Sequence, residues 1–134
     1  MTSIELSSGT IDYTDTGGDG PVLVLLHGLM MDASLWDGPI AGLSSGHRCV
    51  APTVAASARG GLLVATAERL PEFKHPALVV WASEDRVMPP EHGGRLAALL
   101  PGGRLVEVED SYTLIPLDQP ARLAAIIREF TSAR

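Results

Sequence analysis

One cysteine, few aromatic rings and no basic cluster exclude several classes of protein at once. Cys49 is the only cysteine, so no disulfide can form within the chain. It sits in the apolar run Cys49-Val50-Ala51, which predicts a small buried hydrophobe. Aromatic residues make up 4% of the sequence, so a core must be assembled from Leu, Val, Ile and Ala. Lys and Arg number 10 against 16 Asp and Glu, for a formal charge of −6. An acidic chain without a Lys/Arg cluster gains nothing from a phosphate backbone, and no nucleic-acid partner is expected. No apolar run approaches the ~18 residues of a membrane helix. Met1-Thr2-Ser3-Ile4-Glu5 lacks the basic-then-apolar pattern of a secretory leader. The expectation is a soluble cytoplasmic protein without a membrane partner.

What is present suits a globular interior. Apolar residues account for 46% and charged residues for 19% of 134 residues. The length predicts one domain, 1–134, able to bury roughly two thirds of its unfolded surface. Residues 3–7 and 10–15 alternate weakly around Ser8-Gly9 and predict an antiparallel hairpin. Gly17-Gly18-Asp19-Gly20-Pro21 is a turn of strong breakers. Val22 to Leu26 is a continuous apolar run, the pattern of a strand buried on both faces. Asp32 is placed to cap a helix reaching about Leu43, shortened or kinked by Pro39.

His47 to Pro52 predicts a short strand, and a helix follows from about Leu62 to Leu70, stopped by Pro71. Ala77 to Trp81 is a second strongly buried strand. Pro89-Pro90-Glu91 opens a helix to Leu100. Arg104 to Glu109 alternates as a half-buried strand near a sheet edge. Gln119-Pro120 starts a helix with Leu123, Ile126, Ile127 and Phe130 on one face. Alternating strands and helices predict an α/β fold with a doubly wound, mostly parallel sheet and flanking helices.

Three stretches carry a family likeness. Gly20-Pro21-Val22-Leu23-Val24-Leu25-Leu26-His27-Gly28-Leu29 resembles the third strand and oxyanion loop of the α/β-hydrolases. Trp81-Ala82-Ser83-Glu84-Asp85-Arg86-Val87-Met88-Pro89 resembles the loop that carries their acid. Asp118-Gln119-Pro120 resembles the acidic-x-Pro signature that opens their last helix. The resemblance implies a cofactor-independent hydrolase of small ester-like, epoxide or haloalkane substrates, with a triad in the order nucleophile, acid, histidine. By the same likeness the Leu29 N–H, after His27-Gly28, would face the developing oxyanion. The His27 ring would brace the loop, and Asp85 would be the acid.

The other triad members are not in place. The family's histidine lies five positions before the acidic residue of its G-H-x-x-x-x-E-x-P, and five before Asp118 is Thr113. Neither Thr113 nor Tyr112 can act as a base near neutral pH, since a tyrosine titrates near ~10 and a threonine higher still. His47, His75 and His92 are expected at the surface, with His92 the least remote from the Asp85 loop. No G-x-S-x-G occurs anywhere in the sequence. Aligning Gly60-Gly61 with the family's elbow puts Ala58 at the nucleophile position and Ser57 one residue early. Ser57 is thus a weak nucleophile candidate, because an elbow tolerates only about half an ångström of displacement.

The nucleophile elbow and lid belong between the first and second of these landmarks, and the interval is too short for both. A deletion seam is therefore expected near residues 53–65, leaving a truncated sheet. Adjacent strands lie ~4.8 Å apart, so removing two central strands leaves about 14 Å to close. The two apolar strands could pair directly, residues 53–58 could add a weak strand, or two chains could form a homodimer through exposed sheet edges. The sequence leaves these open. It supports a hydrolase with reduced or no activity, or a noncatalytic, self-associating remnant of the fold. No cofactor is expected, and no His/Cys/Asp cluster has metal-ligand spacing.

Overall fold

The computed structural model describes residues 2–6, 9–27, 31–53 and 68–133. Along the chain the elements are β1 (Thr2–Leu6), β2 (Gly9–Asp15), β3 (Val22–Val24), α1 (Asp37–Leu43), β4 (Arg48–Pro52), β5 (Ala77–Ala82), α2 (Glu91–Leu99), β6 (Gly103–Val108), α3 (Ile115–Asp118) and α4 (Pro120–Ser132). They fall into two compact units, residues 1–56 with 120–134, and residues 57–119. The expected seam at 53–65 lies, beyond Thr53, outside the described residues.

The first unit holds a mixed four-stranded sheet in the order β1-β2-β4-β3. The expected hairpin is present: β1 and β2 pair antiparallel from Thr2↔Tyr13 to Leu6↔Gly9. β2 continues antiparallel onto β4, with Tyr13 opposite Pro52. β3 runs parallel to β4, with Val22 opposite Arg48. The turn after β2 needs its glycines, because Gly17 and Gly18 have φ of +68° and +93°, a region closed to most side chains. Asp15 Oδ1 accepts the Gly17 N–H at 2.9 Å and fixes that turn. Its carboxylate also receives the Arg48 guanidinium on both oxygens.

Asp32 caps as expected, accepting the Ser34 N–H at 2.8 Å. The chain first makes a 3₁₀ turn (Ala33–Trp36) and only then α1. Pro39 is the third residue of α1 and is buried. It removes an N–H that a helix start leaves unpaired anyway, so it causes no break. Leu25, Ala33, Leu43, Cys49, Ala51 and Ala124 form the core, with Leu23, Trp36, Ile40 and Ile127 packed on it. α1 and α4 meet closely: a Cβ added at Gly42 would stand 3.0 Å from the Ala124 Cβ. Arg128 Nη1 donates to the Gly42 carbonyl at the same crossing.

Two expectations are corrected in this unit. β3 is not covered on both faces: Val22, Val24 and Leu26 are 59%, 60% and 61% exposed, whereas Leu25 is buried. Among the described residues β3 is the last strand of its sheet, and the core that includes Leu23 and Leu25 lies on one side of it. His47 is not a surface residue but half-buried. Its Nε2 lies 3.1 Å from Thr131 Oγ1, and its Nδ1 is sealed from solvent without a partner. A contact spanning 84 positions leaves no local signal in the sequence.

The second unit is a β-α-β element. β5 and β6 pair parallel from Ala77↔Gly103 to Ala82↔Val108, joined by α2. Val79, Ala82, Val108 and Ile115 are buried. Gly93 of α2 lets the helix settle on the Trp81 ring, since a Cβ there would stand 2.8 Å from Cδ2. Glu68 and Arg69 are helical and the chain then passes into a 3₁₀ turn (Leu70–Glu72) that contains Pro71, so the α-helix ends within a residue of the expected stop. The expected helix over residues 62–67 lies outside the described residues. The first unit's sheet is thus mixed in direction, with β3–β4 its parallel pair, and the two strands of the second unit, β5 and β6, are parallel.

Candidate active site

The loop after β5 is built around one carboxylate. β5 hands over to the loop through Ser83, whose N–H donates to the Val108 carbonyl at 3.0 Å. Glu84 N–H then donates to the Ser111 carbonyl at 3.1 Å. Glu84 itself points to solvent, while Asp85 is only 9% exposed. Asp85 Oδ1 accepts the Val87 N–H and the Met88 N–H, each at 2.9 Å. The Trp81 indole Nε1 donates to the Met88 carbonyl at 3.0 Å and pins the far side of the loop.

A second loop, after β6, meets the same carboxylate. Asp110 holds φ of +52°, a left-handed conformation that Asp tolerates better than most residues. Buried Ser111 donates its hydroxyl to the Val108 carbonyl at 2.6 Å. Tyr112 N–H donates to Asp118 Oδ2 at 2.8 Å, and Gln119 Nε2 donates to the Asp110 carbonyl at 3.1 Å. The loop so fixed delivers Thr113, whose Oγ1 donates to Asp85 Oδ1 at 2.9 Å.

Three donors on one oxygen settle the charge of this site. Burial pushes the Asp85 carboxyl up, but the Met88 N–H, the Thr113 hydroxyl and the Val87 N–H together outweigh it. The net result is a carboxyl held below its ordinary 3.8. Hydrogen bonds to the ionised form favour that form. Asp85 is therefore an anion at neutral pH. It is oriented by backbone and faced by a hydroxyl that can donate but cannot accept a proton near pH 7.

The remaining expected site residues divide in two groups. His27 is half-buried in the first unit, where it carries interactions of its own, among them an attraction with Asp32. Gly28, Leu29 and Ser57 lie outside the described residues. His92 is exposed, and no hydrogen bond joins it to Asp85. His75 is exposed and sits edge-on to Phe73, ring centroids 5.5 Å apart. Among the described residues no group of three or more His, Cys, Asp or Glu could hold a metal. No helix of the described residues is long and apolar enough to cross a membrane. The pinning role of Trp81 and the bracing role of Gln119 carried no signal in the sequence, since each acts on a main-chain carbonyl.

Comparison with known proteins bears on the fold. No family model matches the chain. It is 36% identical over 63 residues to the uncharacterized hydrolase YugF of Bacillus subtilis (strain 168), a match covering 47% of this chain and 23% of that protein. The chain thus spans under a quarter of the length of this curated relative. Among solved structures it resembles a thermophilic esterase from Thermogutta terrifontis, with TM-score 0.80, 14% identity and 99% of each chain covered. It also resembles a CIB-like hydrolase from Thermoplasma acidophilum, with TM-score 0.84, 16% identity, and 99% and 97% covered. The enol-lactonase from Burkholderia xenovorans LB400 follows at TM-score 0.82, 13% identity, and 98% and 100% covered. Such likeness at low identity is a statement about architecture, and the chain has the α/β-hydrolase fold.

Proposed function

We propose that this chain is a shortened α/β-hydrolase in which the acid of the triad persists and its proton-transfer partner does not. The observation that carries the reading is the Thr113 hydroxyl on Asp85 Oδ1 at 2.9 Å. Thr113 stands five residues before Asp118, where the family's pattern has histidine. A general base must take the nucleophile's proton and return it to the leaving group, and a threonine does neither. Ser57 remains the weak nucleophile candidate and His27, Gly28 and Leu29 the oxyanion loop. The substrate class is that of small esters, lactones, epoxides or haloalkanes, turned over slowly or not at all. No cofactor enters this reading. It also keeps the single domain, the seam near 53–65, the truncated, doubly wound and mostly parallel sheet, and a cytoplasmic location without nucleic-acid or membrane partners.

The decisive experiment is a fluorogenic short-chain ester assay on the full chain with Asp85→Ala as control, alongside labelling with a fluorophosphonate probe. The expected result is no turnover above the control and no label. Robust turnover lost in Asp85→Ala, or labelling at Ser57, overturns the reading.

A second reading has its own support. Val22 and Val24 of β3, the last strand of its sheet among the described residues, and Leu26 just beyond it are exposed. An exposed apolar edge invites pairing with another chain. On this reading the protein is a noncatalytic remnant that self-associates through that edge. Light scattering after size exclusion is expected to give a dimer, and Val24→Lys is expected to return a monomer. A wild-type monomer removes this reading.

A further inference from the structure

The sequence has no asparagine and two Asp-Gly steps, Asp19-Gly20 and Asp37-Gly38. Such a step is open to rearrangement, because glycine puts no side chain in the way of its own nitrogen. The main-chain nitrogen of the glycine attacks Cγ of the aspartic acid. An N–Cγ bond forms, and a side-chain oxygen leaves as water with the proton of that nitrogen. Water then opens the five-membered imide. Breaking the new N–Cγ bond restores aspartate. Breaking the original peptide C–N bond leaves isoaspartate, with the main chain routed through Cγ. Water is the sole co-reactant, and the net mass is unchanged.

The structure treats the two steps differently. Asp37 has φ of −56° and ψ of −43° and is the first residue of α1. Closing the imide ring there requires turning the peptide out of its helical ψ, which would undo the first turn of the helix. Asp19 instead lies exposed in a bend outside helix and strand, after Gly17 and Gly18 with φ of +68° and +93°. No helical ladder opposes ring closure there. The packing also prevents the following glycine from being exchanged for a bulkier, protective residue. A Cβ at Gly20 would stand 2.9 Å from the Gly46 carbonyl oxygen and 3.2 Å from His47 Cα, both main-chain atoms.

We propose that Asp19 is a modification site, where the fold leaves spontaneous isoaspartate formation open while closing it at Asp37. The rearrangement adds one main-chain carbon between Asp19 and Gly20, about 1.5 Å of bond. Pro21 follows directly, and its carbonyl accepts the Arg48 N–H at 3.0 Å. The β3–β4 register starts at the next residue, with Val22 opposite Arg48. The modified chain therefore enters β3 out of step and loosens the Pro21–Arg48 bond. No triad residue takes part, so the site stands apart from the hydrolase reading.

The test ages the full chain for several weeks near neutral pH, both folded and in guanidinium chloride. Isoaspartate is quantified with an isoaspartyl-specific carboxyl methyltransferase and located by peptide mapping with electron-transfer fragmentation. In the folded protein it is expected to form at Asp19 at least about tenfold faster than at Asp37. In guanidinium the two rates should become comparable. Asp19→Glu, which would need a six-membered ring, should remove the folded-state signal. The rearranged protein, separated by ion exchange, should exchange its Arg48 amide with deuterated water faster than fresh protein. Four results overturn the proposal: no isoaspartate at Asp19, equal rates at Asp19 and Asp37 in the folded chain, a rate difference that persists in guanidinium, or unchanged exchange at Arg48.

Discussion

Replacing Thr113 with valine removes one hydroxyl and keeps the side-chain shape. The lost bond joins Oγ1 to Asp85 Oδ1 at 2.9 Å, and its acceptor is ionised and nine-tenths buried. A hydrogen bond to a charged group contributes about 1.5–3 kcal/mol. Asp85 Oδ1 retains the Val87 and Met88 N–H groups, so the oxygen is not orphaned and the lower end applies. The expected loss is about 1.5 kcal/mol, or roughly 5 °C in melting temperature for a chain of this size. The sign of the pH dependence follows from the direction of the Asp85 shift. Its folded carboxyl lies below the ordinary 3.8. The stability it contributes is therefore complete above the unfolded value and is lost as pH falls through the folded one. Valine takes away one of the groups that lower it, so the Asp85 titration should move up in Thr113→Val. Thermal unfolding at pH 7 and a ¹³C carboxyl titration measure the two effects. An unmoved Asp85 titration, with or without a change in melting temperature, refutes the role assigned to the Thr113 hydroxyl.

Other perturbations test the surrounding framework. Gly93→Ala should destabilise by about 1–3 kcal/mol in urea unfolding, because its Cβ falls 2.8–3.0 Å from three Trp81 ring atoms and overpacking outweighs the gain in helix propensity. Gly42→Val should destabilise similarly by forcing α1 off Ala124, whose Cβ is 3.0 Å from the first added carbon; an unchanged unfolding midpoint counts against that close crossing. Asp15 should titrate at about 2, held down first by its hydrogen bond from Arg48 and then by the Gly17 N–H. The stabilisation it provides is present above the ordinary carboxyl value and fades as pH falls toward 2, and Arg48→Leu should raise that titration.

Much of the framework was legible because local chemistry specified it. Ser8-Gly9 set the hairpin, Asp32 capped a helix through a neighbour two residues on, and Pro90-Glu91 opened α2. The loop that carries Asp85 was legible too, since an apolar strand followed by Ser-Glu-Asp and a Pro pair is a compact turn signature. Counting back five from Asp118 found Thr113, the residue that meets Asp85 in space. What escaped depended on distance along the chain. The burial of His47 rests on Thr131. The bare face of β3 depends on what packs against it from another layer, and an apolar run looks the same whether one face or both are covered. The short helix α3 was missed because Leu114-Ile115-Pro116-Leu117 has no side-chain cap. Ile115 is buried, so packing supplies what local signals lack.

The chain has two tryptophans, and they fall one to each compact unit, Trp36 in the first and Trp81 in the second. Trp81 donates to the loop that holds Asp85, and Trp36 packs on the core of its own, first unit. Single Trp→Phe replacements therefore leave one intrinsic fluorophore at a time, each reporting a different half of the sequence. Coincident emission transitions in the two variants would mean that both halves melt as one cooperative system. Separated transitions would mean that the unit holding Asp85 can open while the other stays shut.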